Sequence, residues 1–192
     1  MSNPFFLNRL ASEPHALAFA GQSTPWPVAL ADETANPVLD ERLHEHMRSA
    51  QNLLYPVSAD LLATTGRPVD LFGFTPNPAK LGAAANAAAS VPGIALSQLG
   101  ALIDAEELGY KPAEAKPVAV LGHSQGILAV HMVQAIREAG SVEAAASKID
   151  EILAIATLIG VAGTRQARQL GLAARHGDAT PMLSVKDITR AQ

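Results

Sequence analysis

The chain has 192 residues, 48% hydrophobic and 17% charged, with a net charge of −4 and no cysteine. That length and apolar content suit one substantial core and exclude a disordered chain. The mild acidity, without a basic block, argues against nucleic acid or a membrane as partner, and the missing cysteines exclude disulfides and thiolate chemistry, as in a reducing, cytoplasmic setting.

Residues 1–14 read as a loose leader without the apolar core of a signal peptide. Ala16–Ala20 is a short apolar run, expected as a central parallel strand. Gly21 and Gln22 turn the chain at its C-terminal end, where open α/β sheets bind ligands. Gln22 is equally readable as an ordinary polar turn residue. Asn36-Pro37 is an N-cap and first-turn pair. It predicts a helix to about Tyr55, with Val38, Leu39, Leu43, Met47 and Leu54 on one face. His44 and His46 lie two apart on it, not at the i,i+4 spacing of a helical metal pair, and are expected to be solvated.

A shorter helix is predicted over 58–65, and the Gly- and Pro-rich stretch 66–78 is expected to be irregular. Leu81–Ala89 is nearly all alanine and fits either a close-packed helix or a surface turn. Ser90 and Pro92 predict the start of a helix carrying Ile94, Leu96, Leu99, Leu102, Ile103 and Leu108, stopped by Gly109. Tyr110–Lys116 reads as a polar connection and Pro117–Leu121 as a strand. The next helix carries Ile127, Leu128, Val130, Val133 and Ile136, with Gly140 at C′ and Ser141 as the following N-cap. A long helix is predicted from Val142 to about Arg175. Its apolar run Ile152–Gly163 is short of the ~20 residues that span a bilayer, and Arg165, Arg168 and Arg175 gather where cations favour the dipole. The adjacent carboxylates Asp40/Glu41 and Glu106/Glu107 read as solvated faces.

The stretch that carries chemistry is Val118-Ala119-Val120-Leu121-Gly122-His123-Ser124-Gln125-Gly126. An apolar strand runs into a Gly-flanked turn with a serine at its tip, and an amphipathic helix follows. This is the G-x-S-x-G nucleophile elbow pattern in its required strand-to-helix context. Gly122 and Gly126 allow close backbone approach, and the free N–H groups of the new helix face the reacting carbonyl. The Gln125 N–H is the natural oxyanion donor. A serine that only caps a helix would also suit two flanking glycines.

Gly-His-Ser-Gln-Gly resembles the form of this elbow in the acyltransferase domains of fatty acid and polyketide synthases. Ala18-Phe19-Ala20-Gly21-Gln22 is similar to the first strand and Gly-Gln turn of those domains, although Ser23-Thr24-Pro25-Trp26 departs from the usual continuation. Thr180-Pro181-Met182-Leu183-Ser184-Val185 resembles the strand that opens the small ferredoxin-like subdomain of microbial type I synthases. The resemblance implies an α/β fold, a parallel sheet flanked by helices. Residues 1–180 would be the hydrolase-like part and residues 181–192 the start of the ferredoxin-like subdomain.

It further implies acyl transfer from coenzyme A through Ser124 to the phosphopantetheine of an acyl carrier protein, with no bound cofactor or metal, inside a larger and oligomeric synthase. Gly21, Gln22, His123 and Gln125 would line the oxyanion and substrate pocket. In malonyl-loading members an Arg on the long helix pairs the free carboxylate. Aligning Ile-Gly-Val puts Ile159 there, which favours acetyl or another uncharged starter, with Arg165 as the alternative carboxylate partner. The base is missing: His123 diverges from Ser124, His131 is two helical turns on, and His176 lies far along the chain. In the resembled family the base histidine follows the small subdomain, so it is expected outside this segment. A serine esterase or thioesterase, and an inactive structural segment, are the rival readings.

Overall fold

The computed structural model describes residue 10 and residues 12–21, 25–57, 87–115 and 117–170. The expectations for Gln22, for residues 58–86 (the predicted helix, the irregular stretch and the first part of the alanine run), for His176 and for residues 181–192 lie outside them. The elements in chain order are β1 (Ala16–Phe19), α1 (Trp26–Thr34), α2 (Pro37–Leu53), a 3-10 turn (Tyr55–Val57), α3 (Ala87–Glu107), the short α4 (Pro112–Ala115), β2 (Ala119–Gly122), a 3-10 turn (Ser124–Gly126), α5 (Ile127–Ala139) and α6 (Ala146–Gln169).

The expected parallel pairing is present, but the described residues are mostly helical, with a sheet of two strands. β1 and β2 pair in parallel, Ala16 opposite Ala119 and Phe19 opposite Gly122. Both strands therefore end at the same edge of the sheet. Leu17, Phe19 and Val120 pack against the helical core, while Ala16, Ala18 and Leu121 on the alternate positions are exposed.

Helix α3 is the centre of the packing. Every residue from Ala87 to Gly100 is buried. Its 21 residues are long and apolar enough to cross a membrane, yet 89% of its most apolar window is buried inside the protein. α6, α1, α2 and α5 all pack on it. Trp26 of α1 lies over Gly93, and the Glu33 carboxyl, seven residues on, lies over Gly100. Two glycines two turns apart thus let α1 run alongside α3 at close range. Burial and the nearby Asp104 and Asp32 push the Glu33 carboxyl up to about 8. On the opposite side, Gly160 of α6 meets the Ala87 backbone, and the Thr164 hydroxyl accepts the Ala88 N–H at 2.9 Å.

Capping signals held where the chain turns. The Asn36 side chain accepts the Val38 N–H at 3.1 Å, and Gly140 closes α5 with a φ of 98°. Five expectations need correction. α3 already includes Ala87, so Ser90 and Pro92 lie inside it. Tyr110–Lys116 contains the helix α4, and β2 starts at Ala119 rather than Pro117 and runs one residue past Leu121 to Gly122. The long helix begins at Ala146. Residues 142–145 form a turn before it, in which Ser141 Oγ accepts the Ala144 N–H and the Glu106 carboxylate accepts the Val142 N–H. Glu106 and Glu107 are accordingly engaged rather than merely solvated; Glu107 pairs with Arg42 at 2.9 Å.

Candidate active site

β2 delivers the chain to Gly122, and His123 is still extended, with φ −96° and ψ 127°. Its N–H donates to the Phe19 carbonyl at 3.0 Å, so the tie to β1 persists to the edge of the turn. Ser124 then takes a φ of 54°, the one positive value among the described non-glycine residues. That left-handed conformation is costly for an L-residue and persists only where the surroundings enforce it. Gln125 and Gly126 complete the 3-10 turn, the Gly126 N–H donating to the His123 carbonyl at 2.9 Å. α5 follows directly.

Three glycines form the walls that enforce this turn. A Cβ on Gly122 would stand 2.6 Å from Gly126 C and O and from Ile127 N. One on Gly126 would collide with the Phe19 carbonyl oxygen and stand 3.0 Å from that of Ala20. One on Gly21 would stand 2.7 Å from the His123 oxygen, 2.8 Å from Ser124 Cβ and 3.3 Å from Gln125 N. The end of β1 is therefore pressed against the elbow, with Gly21 lying directly against Ser124. Ser124 is exposed and Gln125 half-buried. The first turn of α5 carries no acidic residue to offset the positive end of its dipole.

The described histidines do not complete a catalytic pair with Ser124. His15 lies before β1, at the opposite end of the strands. Its Nδ1–H donates to the Glu13 carbonyl, which leaves Nε2 to accept from the Tyr110 hydroxyl. His44 donates to the Asp40 carbonyl at 2.8 Å. His123 and His131 are exposed, and His131 is about 10 Å along α5 by helical rise. Ile159 and Arg165 are carried by α6, whose main packing partners are α3 and α2. Ile159 is half exposed and Arg165 exposed. Among the described residues no cluster of three or more His, Asp or Glu could hold a metal ion.

A serine with positive φ, three closely packed glycines and a strand-to-helix turn thus meet at one edge of the sheet. Residues 79–192 match a family described as starter unit:ACP transacylase in aflatoxin biosynthesis. The chain belongs to this starter unit:ACP transacylase family. Membership makes it a transferase-type chain of the synthase class, and the matched region takes in α3, the elbow and α6. No curated protein matches the chain.

Two features of this family member were missed from sequence. His46 is buried, not solvated, and its Nδ1 lies 2.6 Å from Asp150 Oδ1 on α6. The signal was there: His46 follows Leu43 by three and precedes Ala50 by four, on the buried face of α2. The pair lines a cleft of about 540 Å³ with Arg42, Arg48 and Glu143, and none of the elbow residues is in it. The second is Gln98 on α3, which donates to the Ala20 carbonyl at 2.7 Å.

Proposed function

We propose that the protein loads a short, uncharged acyl starter from a coenzyme A thioester onto Ser124 and passes it to the phosphopantetheine thiol of an acyl carrier protein, as the acyltransferase part of a larger fatty acid or polyketide synthase. The observation that carries this reading is the φ of 54° at Ser124 inside a wall of three glycines. Ser124 Oγ attacks the thioester carbonyl. The oxyanion is held by the Gln125 N–H, with the Gly21–Gln22 turn as the facing wall. A base that the described residues do not supply takes the Ser124 hydroxyl proton during the attack, and its conjugate acid returns that proton to the departing coenzyme A thiolate. The carrier thiol then attacks the serine ester in the reverse sense. The family's name, with its starter unit and carrier protein, and the apolar Ile159 both favour a starter over a charged extender. The scheme calls on no resident cofactor or metal, and it suits a cytoplasmic, oligomeric synthase.

Steady-state kinetics of the full-length protein test the reading, with acyl-CoA varied at several concentrations of holo acyl carrier protein. A covalent acyl-enzyme predicts parallel double-reciprocal lines, the ping-pong pattern. Acyl release to water at the same rate with and without carrier protein would instead make the protein a thioesterase.

A further inference from the structure

We infer that Gln98 is a positioning residue for acyl transfer, acting through the Ala20–Gly21 peptide; the inference rests on the role proposed for Ser124. Gln98 sits at the middle of α3, at a position 8% exposed, on a helix whose Leu96, Leu99 and Leu102 are buried as well. Its Nε2 donates to the Ala20 carbonyl oxygen at 2.7 Å. Its Oε1 is buried and accepts no hydrogen bond among the described residues. Among the described residues this amide gains one hydrogen bond and finds no donor for its oxygen, a small stabilising return for a buried polar group. Leucine or methionine would fill the same space without a buried amide.

The Ala20 carbonyl is where this amide has leverage. A trans peptide is planar, so holding the Ala20 oxygen fixes the direction of the Gly21 N–H, which points the opposite way within the same plane. Gly21 is the residue whose Cα abuts Ser124 and the Gln125 nitrogen. The Ala20 oxygen also stands near Gly126, 3.0 Å from where a Cβ would be. One hydrogen bond from the core helix thus sets the orientation of the turn that faces the reacting carbonyl. Gln98 touches neither the serine nor the acyl group in this arrangement; it holds the wall against which they react.

The test compares Gln98→Met with the unaltered full-length synthase in single-turnover loading of radiolabelled acyl-CoA, with thermal unfolding measured in parallel. Methionine keeps the length and removes the amide. The expected result is a normal amount of acyl-enzyme formed on the order of tenfold or more slowly, because only transition-state stabilisation is lost. KM for acyl-CoA should stay the same and the unfolding temperature should be equal or higher. Gln98→Glu, which places a carboxylate against the Ala20 oxygen, should be slower still. A reduced amount of acyl-enzyme forming at the normal rate, with a lowered unfolding temperature, would make Gln98 a structural residue and overturn the inference. Normal rate and amount in both variants would overturn it as well, while leaving Ser124 as the nucleophile. Absence of any acyl-enzyme in the unaltered protein would overturn both roles.

Discussion

Gly21 and Ser124 are about 100 residues apart in sequence, yet a methyl group on Gly21 would stand 2.8 Å from Ser124 Cβ. This contact is the product of parallel strand order: β1 and β2 end at the same edge of the sheet. Gly126 closes the arrangement from below, against the Phe19 and Ala20 carbonyls. Gly126→Ala should therefore push α5 off the end of β1. We expect acyl loading to fall on the order of a hundredfold, since displacement of the reacting groups by about 1 Å has effects of that size. Single-turnover rates check this, and a rate within twofold of the unaltered protein would show that the contact does not hold the nucleophile.

The buried pair His46–Asp150 joins α2 to α6. Removing one partner leaves the buried polar atom of the other without its hydrogen bond, at a cost of about 1–3 kcal/mol, whereas replacing both with apolar residues is often neutral or stabilising. His46→Ala should lower the urea midpoint sharply, and His46→Leu combined with Asp150→Leu should recover most of the loss. Equal destabilisation by the single and double variants would show that the pair contributes more than mutual neutralisation.

Glu33 gives stability a pH dependence of definite sign. Its carboxyl titrates near 4.5 when unfolded and is pushed up to about 8 in the fold. Between those values the folded protein holds a proton that the unfolded chain lacks, so stability falls as pH rises from about 4.5 to about 8. Above that the contribution is flat. Glu33→Gln removes this slope and should raise the unfolding temperature at pH 8 relative to the unaltered protein. Unfolding measured at pH 5, 6.5 and 8 decides the matter, and an unchanged slope would mean that Asp104 or another group carries it.

The sequence made several features legible because their chemistry is local. Asn36-Pro37 announced the start of α2, and Gly109 and Gly140 ended α3 and α5, each with positive φ. The glycines around Ser124 announced the turn itself. The start of α3 was hidden because Ala87–Ser90 is buried on all sides, leaving no polar face and hence no helical period to detect. Pro92 added to the confusion, since proline more often opens a helix than sits within one. His46 was misjudged because its partner, Asp150, lies 104 residues away. Gln98 gave no sign of its role: an amide in an apolar helix declares nothing until the strand end it holds is in place.

The proposed preference for an uncharged starter rests on Ile159. An apolar side chain offers nothing to the free carboxylate of a malonyl group, and burying that charge unpaired costs several kcal/mol. In competition between acetyl-CoA and malonyl-CoA, the full-length protein should load acetyl preferentially. Ile159→Arg should shift loading toward malonyl by supplying a bidentate partner. Malonyl preference in the unaltered protein, lost on Arg165→Ala, would move the carboxylate contact to Arg165.

Ser124 is proposed to carry the acyl group, and the acylated residue can be read directly. Full-length protein incubated with radiolabelled acyl-CoA, digested and mapped by mass spectrometry, should show one acylated peptide, the one containing Gly122-His123-Ser124-Gln125-Gly126. The label should be absent from Ser124→Ala, with transfer to the carrier protein reduced by several orders of magnitude. Label on another peptide, or label that survives Ser124→Ala, would contradict the account.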